Sequence, residues 1–164
     1  MMQKNISEKT FKRLIIQGYG RYAASELAGF WLGLRFPYVA CGLLAAVGVY
    51  LINIPTLFVL MVVAFLGIFL SYHPFDYGYN YFLRYLFKSP KLPPRSAQIK
   101  FACGIATGLL GATIFLFWQG FIATGIILGS VMIFSAILVT ITDICIPSMI
   151  YNWLHRNKLS EQIC

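Results

Sequence analysis

The chain is predicted to be an all-α integral membrane protein. Four transmembrane helices form two tandem hairpins, accompanied by amphipathic interfacial helices. Three observations lead there. All thirteen Lys and Arg residues fall in three blocks: before Phe36, between Tyr72 and Phe101, and after Thr142. The stretches between the blocks are long and apolar, joined in pairs by only two uncharged residues, Asn53-Ile54 and Gln119-Gly120. The composition, 59% hydrophobic and 11% charged over 164 residues, leaves too little polar surface for a soluble domain.

Residues 1–35 read as a cytoplasmic or interfacial N-terminal segment. In its first part Phe11, Leu14, Ile15 and Tyr22 share one helical face, with Lys12, Arg13 and Arg21 elsewhere. Leu27, Phe30, Trp31 and Leu34 repeat that pattern. Arg35-Phe36-Pro37 is expected to break the run, because one helix over 23–52 would carry Arg35 towards hydrocarbon. The N-terminus has no apolar core of signal-peptide length and no cleavage site, so the first span is expected to serve as the insertion signal. Asn5-Ile6-Ser7 matches a glycosylation sequon, which a cytoplasmic placement makes irrelevant.

The first hairpin is placed at 36–72, with spans at 36–52 and 55–72. The second is placed at 101–142, with spans at 101–118 and 121–142. At ~1.5 Å per residue these helices are long enough to cross the apolar layer. Links of two residues force antiparallel neighbours. Between the hairpins, 73–100 divides into a surface helix and a linker. Pro74 ends the second span, and Asp76 is placed to cap a helix over 77–88. Tyr77, Tyr81, Arg84, Tyr85 and Lys88 lie on one side of that helix, and Phe82, Leu83, Leu86 and Phe87 on the other. Ser89-Pro90-Lys91-Leu92-Pro93-Pro94 reads as a stiff extended linker. Residues 143–164 form a C-terminal amphipathic helix.

The basic blocks set the orientation, with both termini and the central loop cytoplasmic. The same placement accounts for the net charge of +8 by attraction to anionic lipid. Nucleic acid is not an expected partner, since the basic residues flank spans instead of lining one face. The expected partners are the lipid bilayer, further copies of the chain, or other subunits of a membrane complex.

The halves look alike. Ala40-Cys41-Gly42-Leu43 matches Ala102-Cys103-Gly104-Ile105, and Tyr79-Asn80-Tyr81-Phe82-Leu83-Arg84 matches Tyr151-Asn152-Trp153-Leu154-His155-Arg156. The second alignment sets Asp76 opposite Ser148. Both halves start on the same side, so the repeat is parallel.

Cys41 and Cys103 would then lie at matching depth, where a cysteine pair exchanges disulfides or carries a persulfide. His73 and Asp76 are the candidate acid–base neighbours, completing the catalytic candidates. Asp143, Cys145, Asn80 and Asn152 are candidates for binding. Each has a bland alternative. The cysteines serve equally as small packing residues beside Gly104, Gly108 and Gly111, with Gly125 and Gly129 on the last span. His73-Pro74-Phe75-Asp76 serves equally to stop one helix and cap the next, with His73 at headgroup level in reach of water. Asp143 falls at a span edge where water is also available. Cys41, Cys103, Cys145 and Cys164 form no CxxC pair and fit no zinc spacing, and no metal or cofactor is indicated. No phosphate loop, nucleophile elbow or kinase signature appears.

His73-Pro74-Phe75-Asp76, Tyr79-Asn80, Leu92-Pro93-Pro94-Arg95 and Phe101-Ala102-Cys103-Gly104 together resemble a known family. They are similar to the small bacterial membrane proteins grouped as domain of unknown function 4395, over 35–154. The resemblance implies four spans in a bacterial inner membrane and brings no activity with it. Some relatives carry two closely spaced cysteines near the end of the last span, where Asp143-Ile144-Cys145-Ile146-Pro147 holds one. Three functions stay open: thiol or sulfur handling at the cytoplasmic face, a small oligomeric transporter or channel subunit, and a structural or assembly subunit.

Overall fold

The computed structural model describes residues 6–86 and 89–155, and among them every regular element is helical. In chain order these are α1 (Glu8–Leu14), α2 (Ala24–Tyr50), α3 (Ile54–Phe69), α4 (Pro74–Gly78), α5 (Arg84–Leu86), α6 (Ala97–Trp118), α7 (Ile122–Thr142) and α8 (Ile146–Leu154). The sequon Asn5, Phe87, Lys88, Arg156 and Cys164 lie outside the described residues.

Four long helices make the bundle. The α2–α3 and α6–α7 links are tight, so each pair is antiparallel. α2 also packs on α7 and α3 on α6, which leaves α2 and α6 diagonally opposed. The core is built from Ala45, Val49, Leu57, Leu60, Leu110, Phe117, Met132 and Ile133. Gly48 admits Leu57, Gly125 admits Phe117, and Gly129 admits Val49, in each case within the space a Cβ would take. This is the small-residue packing that membrane helices use in place of a hydrophobic drive. Gly104 and Gly108 on α6 do not share it. A Cβ on Gly104 would meet only Ile68, at 4.0 Å, and one on Gly108 would meet nothing within that distance.

This is an all-α membrane protein. α2, α6 and α7 are each long and apolar enough to cross a bilayer. α3, at 16 residues, passes the same test only together with the Pro74–Leu86 segment, from which it is bent by 85°. The expected break at Arg35-Phe36-Pro37 does not occur, and α2 runs unbroken through it. Pro37 costs one backbone hydrogen bond, but Arg35 does not need to escape the helix. Its guanidinium meets a carboxylate that arrives from the far end of the chain.

The other helices cap the bundle at the end opposite the tight turns. Ser7 starts α1 by accepting from the Thr10 N–H at 3.2 Å. α1 continues as a π-helical stretch, Ile15–Tyr19, in which Gly18 takes φ 90°. A Cβ there would collide with Gln98 and Ser96 at the start of α6, so glycine satisfies both the left-handed backbone and the close approach. Leu14, Tyr19, Leu27, Leu34, Tyr79, Leu92 and Ile99 form a second buried cluster under this cap. Leu92 belongs to the proline-rich linker, which is therefore pinned and not a free spacer. Its N–H donates to Asn80 Oδ1 at 2.9 Å, and the Arg95 N–H donates to the Ser71 carbonyl at 2.8 Å.

Candidate functional site

Two helix starts set the geometry. α4 begins at His73, whose Nδ1 accepts from the Phe75 N–H at 3.3 Å. Asp76 is therefore not the cap the sequence suggested. It stands three residues in and accepts the His73 N–H at 2.9 Å, which completes a capping box. α8 begins at Cys145, which makes no side-chain cap hydrogen bond, with Ser148 three residues in; both Asp76 and Ser148 are fully buried.

These two cap residues, His73 and Cys145, face one cavity of about 150 Å³. Cys41 on α2, Cys103 on α6, Tyr38 and Arg95 also line it, and the rest of the wall is almost entirely apolar. Three free thiols thus converge on one space from three different elements. Gly67 leaves room for one of these thiols, Cys103, and for the His73 ring. A Cβ at Gly67 would lie 2.8 Å from His73 Cδ2, 3.1 Å from Cys103 Sγ and 3.4 Å from His73 Nε2.

The imidazole state follows from the cap. A backbone N–H can only donate, so Nδ1 accepts and the neutral ring carries its hydrogen on Nε2. Burial pushes the His73 pKa down to about 4, and the nearby Arg95 charge adds to this. His73 therefore presents a neutral donor to the cavity, and it is buried, not bathed in water as its place at a span end suggested. The Tyr38 hydroxyl is also buried, with no hydrogen-bond partner among the described residues. A buried polar group without a partner costs roughly 1–3 kcal/mol. Burial likewise raises the Cys145 pKa, while Ser148 opposes the shift.

Asp76 does not touch the imidazole ring. Its carboxylate holds Arg95 through two contacts, Arg95 Nε to Oδ2 at 2.6 Å and Arg95 Nη2 to Oδ1. Both side chains are almost wholly buried, at 3% and 0% exposure. Asp143, expected at a watery edge, is 5% exposed and is held the same way by Arg35, at 2.9 and 2.6 Å. The Arg35 guanidinium also lies 3.9 Å over the Trp31 ring. Asp143 caps α7 in a left-handed conformation, and its carbonyl accepts from Gln17 Nε2 at 2.8 Å. Asn152 ties α8 to the N-terminal segment, donating to the Ile16 carbonyl at 2.8 Å and accepting from Gln98 at 3.2 Å. Asn80 holds the linker.

The arrangement brings Cys41, Cys103, His73 and Cys145 together and leaves Asp143, Asn80 and Asn152 in supporting ties away from the cavity wall. Sequence reasoning passed over Arg35, Arg95 and Tyr38. Among the described residues no three His, Cys, Asp or Glu side chains are grouped to hold a metal ion.

The family model described as domain of unknown function (DUF4395) matches residues 32–156. The chain belongs to the DUF4395 family. Comparison with curated proteins and with solved structures returned no match. The DUF4395 region contains both buried ion pairs and every polar residue of the cavity wall, whereas α1 and Gln17 precede it.

Proposed function

We propose that this DUF4395 protein handles sulfur at a thiol-lined cavity just inside the membrane. One observation carries the reading: Cys41, Cys103 and Cys145 share a cavity with a neutral imidazole donor and the unspent Tyr38 hydroxyl. The chemistry that suits these groups is persulfide exchange. A donor R–S–S–H enters, and the sulfur of Cys41 or Cys103 attacks its outer sulfur. The new S–S bond forms as the donor's own S–S bond breaks, and the thiol proton passes to the departing R–S⁻. The products are a cysteine persulfide and R–S–H, with no net change in electrons. His73 Nε2–H and the Tyr38 hydroxyl would stabilise the sulfur anion as charge develops, a role for fixed donors in a dry site. His73 thus acts as a donor and not as a proton shuttle, and Asp76 positions it through the backbone.

The membrane placement supports the same reading. Every described Lys and Arg lies at the capped end of the bundle, which the charge bias assigns to the cytoplasm. The packing of α3 beside α6 supports taking α3 as a fourth span, and a bacterial inner membrane with both termini cytoplasmic is part of the same proposal.

The test is to block thiols in intact membranes that have been exposed to a low-molecular-weight persulfide, then map peptides by mass spectrometry. A mass gain of one sulfur on Cys41 or Cys103, lost in Cys41→Ser and Cys103→Ser and weakened in His73→Gln, is the expected result. Unloaded thiols that tolerate both serine substitutions would return the cysteines to packing.

A further inference from the structure

A second cavity, of about 110 Å³, lies away from the thiols against α4 and α5 and is lined by tyrosines, Asn80, Arg84 and Lys91. Roughly four waters would fill such a volume, enough room for one phosphate group. No carboxylate stands in its wall. Among the described residues neither Arg84 nor Lys91 has a carboxylate partner. Both cations are nonetheless held in place. Arg84 Nη2 donates to the Tyr85 hydroxyl at 2.7 Å with its guanidinium 4.5 Å over that ring. Lys91 Nζ lies 5.5 Å over the Tyr72 ring, which is itself braced edge-on by Tyr77 at 5.8 Å. Asn80 has spent its oxygen on Leu92, so what it has left to offer is NH₂ donors. The Tyr85 oxygen accepts from Arg84, which leaves its own hydrogen to give. Every polar side chain in this wall can donate, and two of them are cations.

The flank of the cavity says where it sits. Phe82 and Leu86 are 83% and 76% exposed on the same short helical run, with Tyr81 and Tyr85 beside them. In a membrane protein, exposed apolar side chains next to tyrosines and basic residues mark headgroup depth. An anion reaching this cavity from that depth arrives attached to a lipid.

We propose that the Arg84–Lys91 cavity binds the phosphate of an anionic phospholipid headgroup. Arg84 supplies the planar pair of donors that suits a phosphate, and Lys91 supplies a second charge. Aromatic contacts hold both cations at the cavity wall before the lipid arrives. This rests on different residues from the thiol cavity, and either can fail without the other.

The test is native mass spectrometry of the full chain in detergent, titrated with phosphatidylglycerol and separately with phosphatidylcholine. Phosphatidylglycerol should be retained more tightly, and Arg84→Gln combined with Lys91→Gln should weaken it about tenfold, the loss of a charge-assisted pair. Lys100→Gln, outside the cavity, should change nothing. Tyr85→Phe, a milder change in case the double variant unfolds, should weaken binding a few-fold by releasing the guanidinium. Equal retention of the two lipids, or of phosphatidylglycerol by wild type and both cavity variants, overturns the proposal. Competition by free glycerol phosphate at the same concentration would also overturn it, by making the site one for soluble phosphate.

Discussion

Each hairpin contributes one arginine near its start, and each arginine finds its carboxylate beyond the end of the other hairpin. Arg35, in the first half of α2, binds Asp143 after α7. Arg95, ahead of the α6–α7 hairpin, binds Asp76 after α3. The two pairs share this crossed plan but not their surroundings. The Arg95–Asp76 pair is sealed, at 3% and 0% exposure, and borders the thiol cavity. The Arg35 side chain keeps 20% of its surface and rests on Trp31. Solvent within reach lowers both the cost of burying a charge and the gain from pairing it. The sealed pair therefore acts as a rigid post for the cavity wall, and the open pair as a clasp that tolerates change.

Breaking one partner should expose the contrast most directly. Arg95→Met or Asp76→Asn strands a buried partner and should lower stability by about 3–5 kcal/mol in detergent unfolding. Arg95→Met with Asp76→Leu should recover most of that loss, since neither charge is left alone. Burial of His73 beside the sealed pair also predicts acid sensitivity. An unfolded histidine titrates near 6.5 and native His73 near 4, so below pH about 6.5 the unfolded state binds the extra proton. Stability should be full above pH about 6.5 and fall by roughly 3 kcal/mol as the pH drops towards 4. His73→Gln should flatten that slope; an unchanged slope would assign it to other groups. At the open pair, Asp143→Asn keeps a hydrogen-bonding side chain against the guanidinium and should cost only about 1–3 kcal/mol in the same unfolding assay.

The hairpin turns offer the smallest test. The second turn takes its left-handed step at Gly120, φ 82°, but the first takes it at Ile52, φ 52°. A β-branched residue is strained there. Ile52→Gly should raise the unfolding midpoint by the equivalent of about 1 kcal/mol, and Gly120→Val should lower it by at least as much. A drop on Ile52→Gly would mean that its side-chain contacts outweigh the backbone strain.

The helices were largely legible because their signal is local. A charge in an apolar run is visible within a few residues, and so is a link such as Gln119-Gly120. What escaped was set by partners far along the chain. Arg35 looks like a helix breaker only until Asp143, 108 residues later, is placed beside it. Asp76 looks like a cap because its local spacing permits it, but the His73 side chain takes that post and frees the carboxylate for Arg95. Gly104 and Gly108 carry the same spacing as the packed glycines of α7, yet Gly108 faces open space and Gly104 only reaches Ile68, since spacing does not say which face of a helix has a neighbour. The matching Ala-Cys-Gly segments and the span-end motif singled out Cys41, Cys103 and His73, which line one cavity. Tyr38 gave no signal, because an orphaned hydroxyl is a property of its surroundings.

The crossed pairs also impose an order in time. Arg35 leaves the ribosome 108 residues ahead of Asp143, so with synthesis at ~5–20 residues per second the arginine waits on the order of ten seconds for its counter-ion. During that interval the first hairpin holds an uncompensated cation beside the membrane, and only the arrival of α7 neutralises it. A chain released before residue 143 keeps both of its opening helices and never closes the clasp. Products truncated before α7 should therefore stay recognisable to membrane quality control.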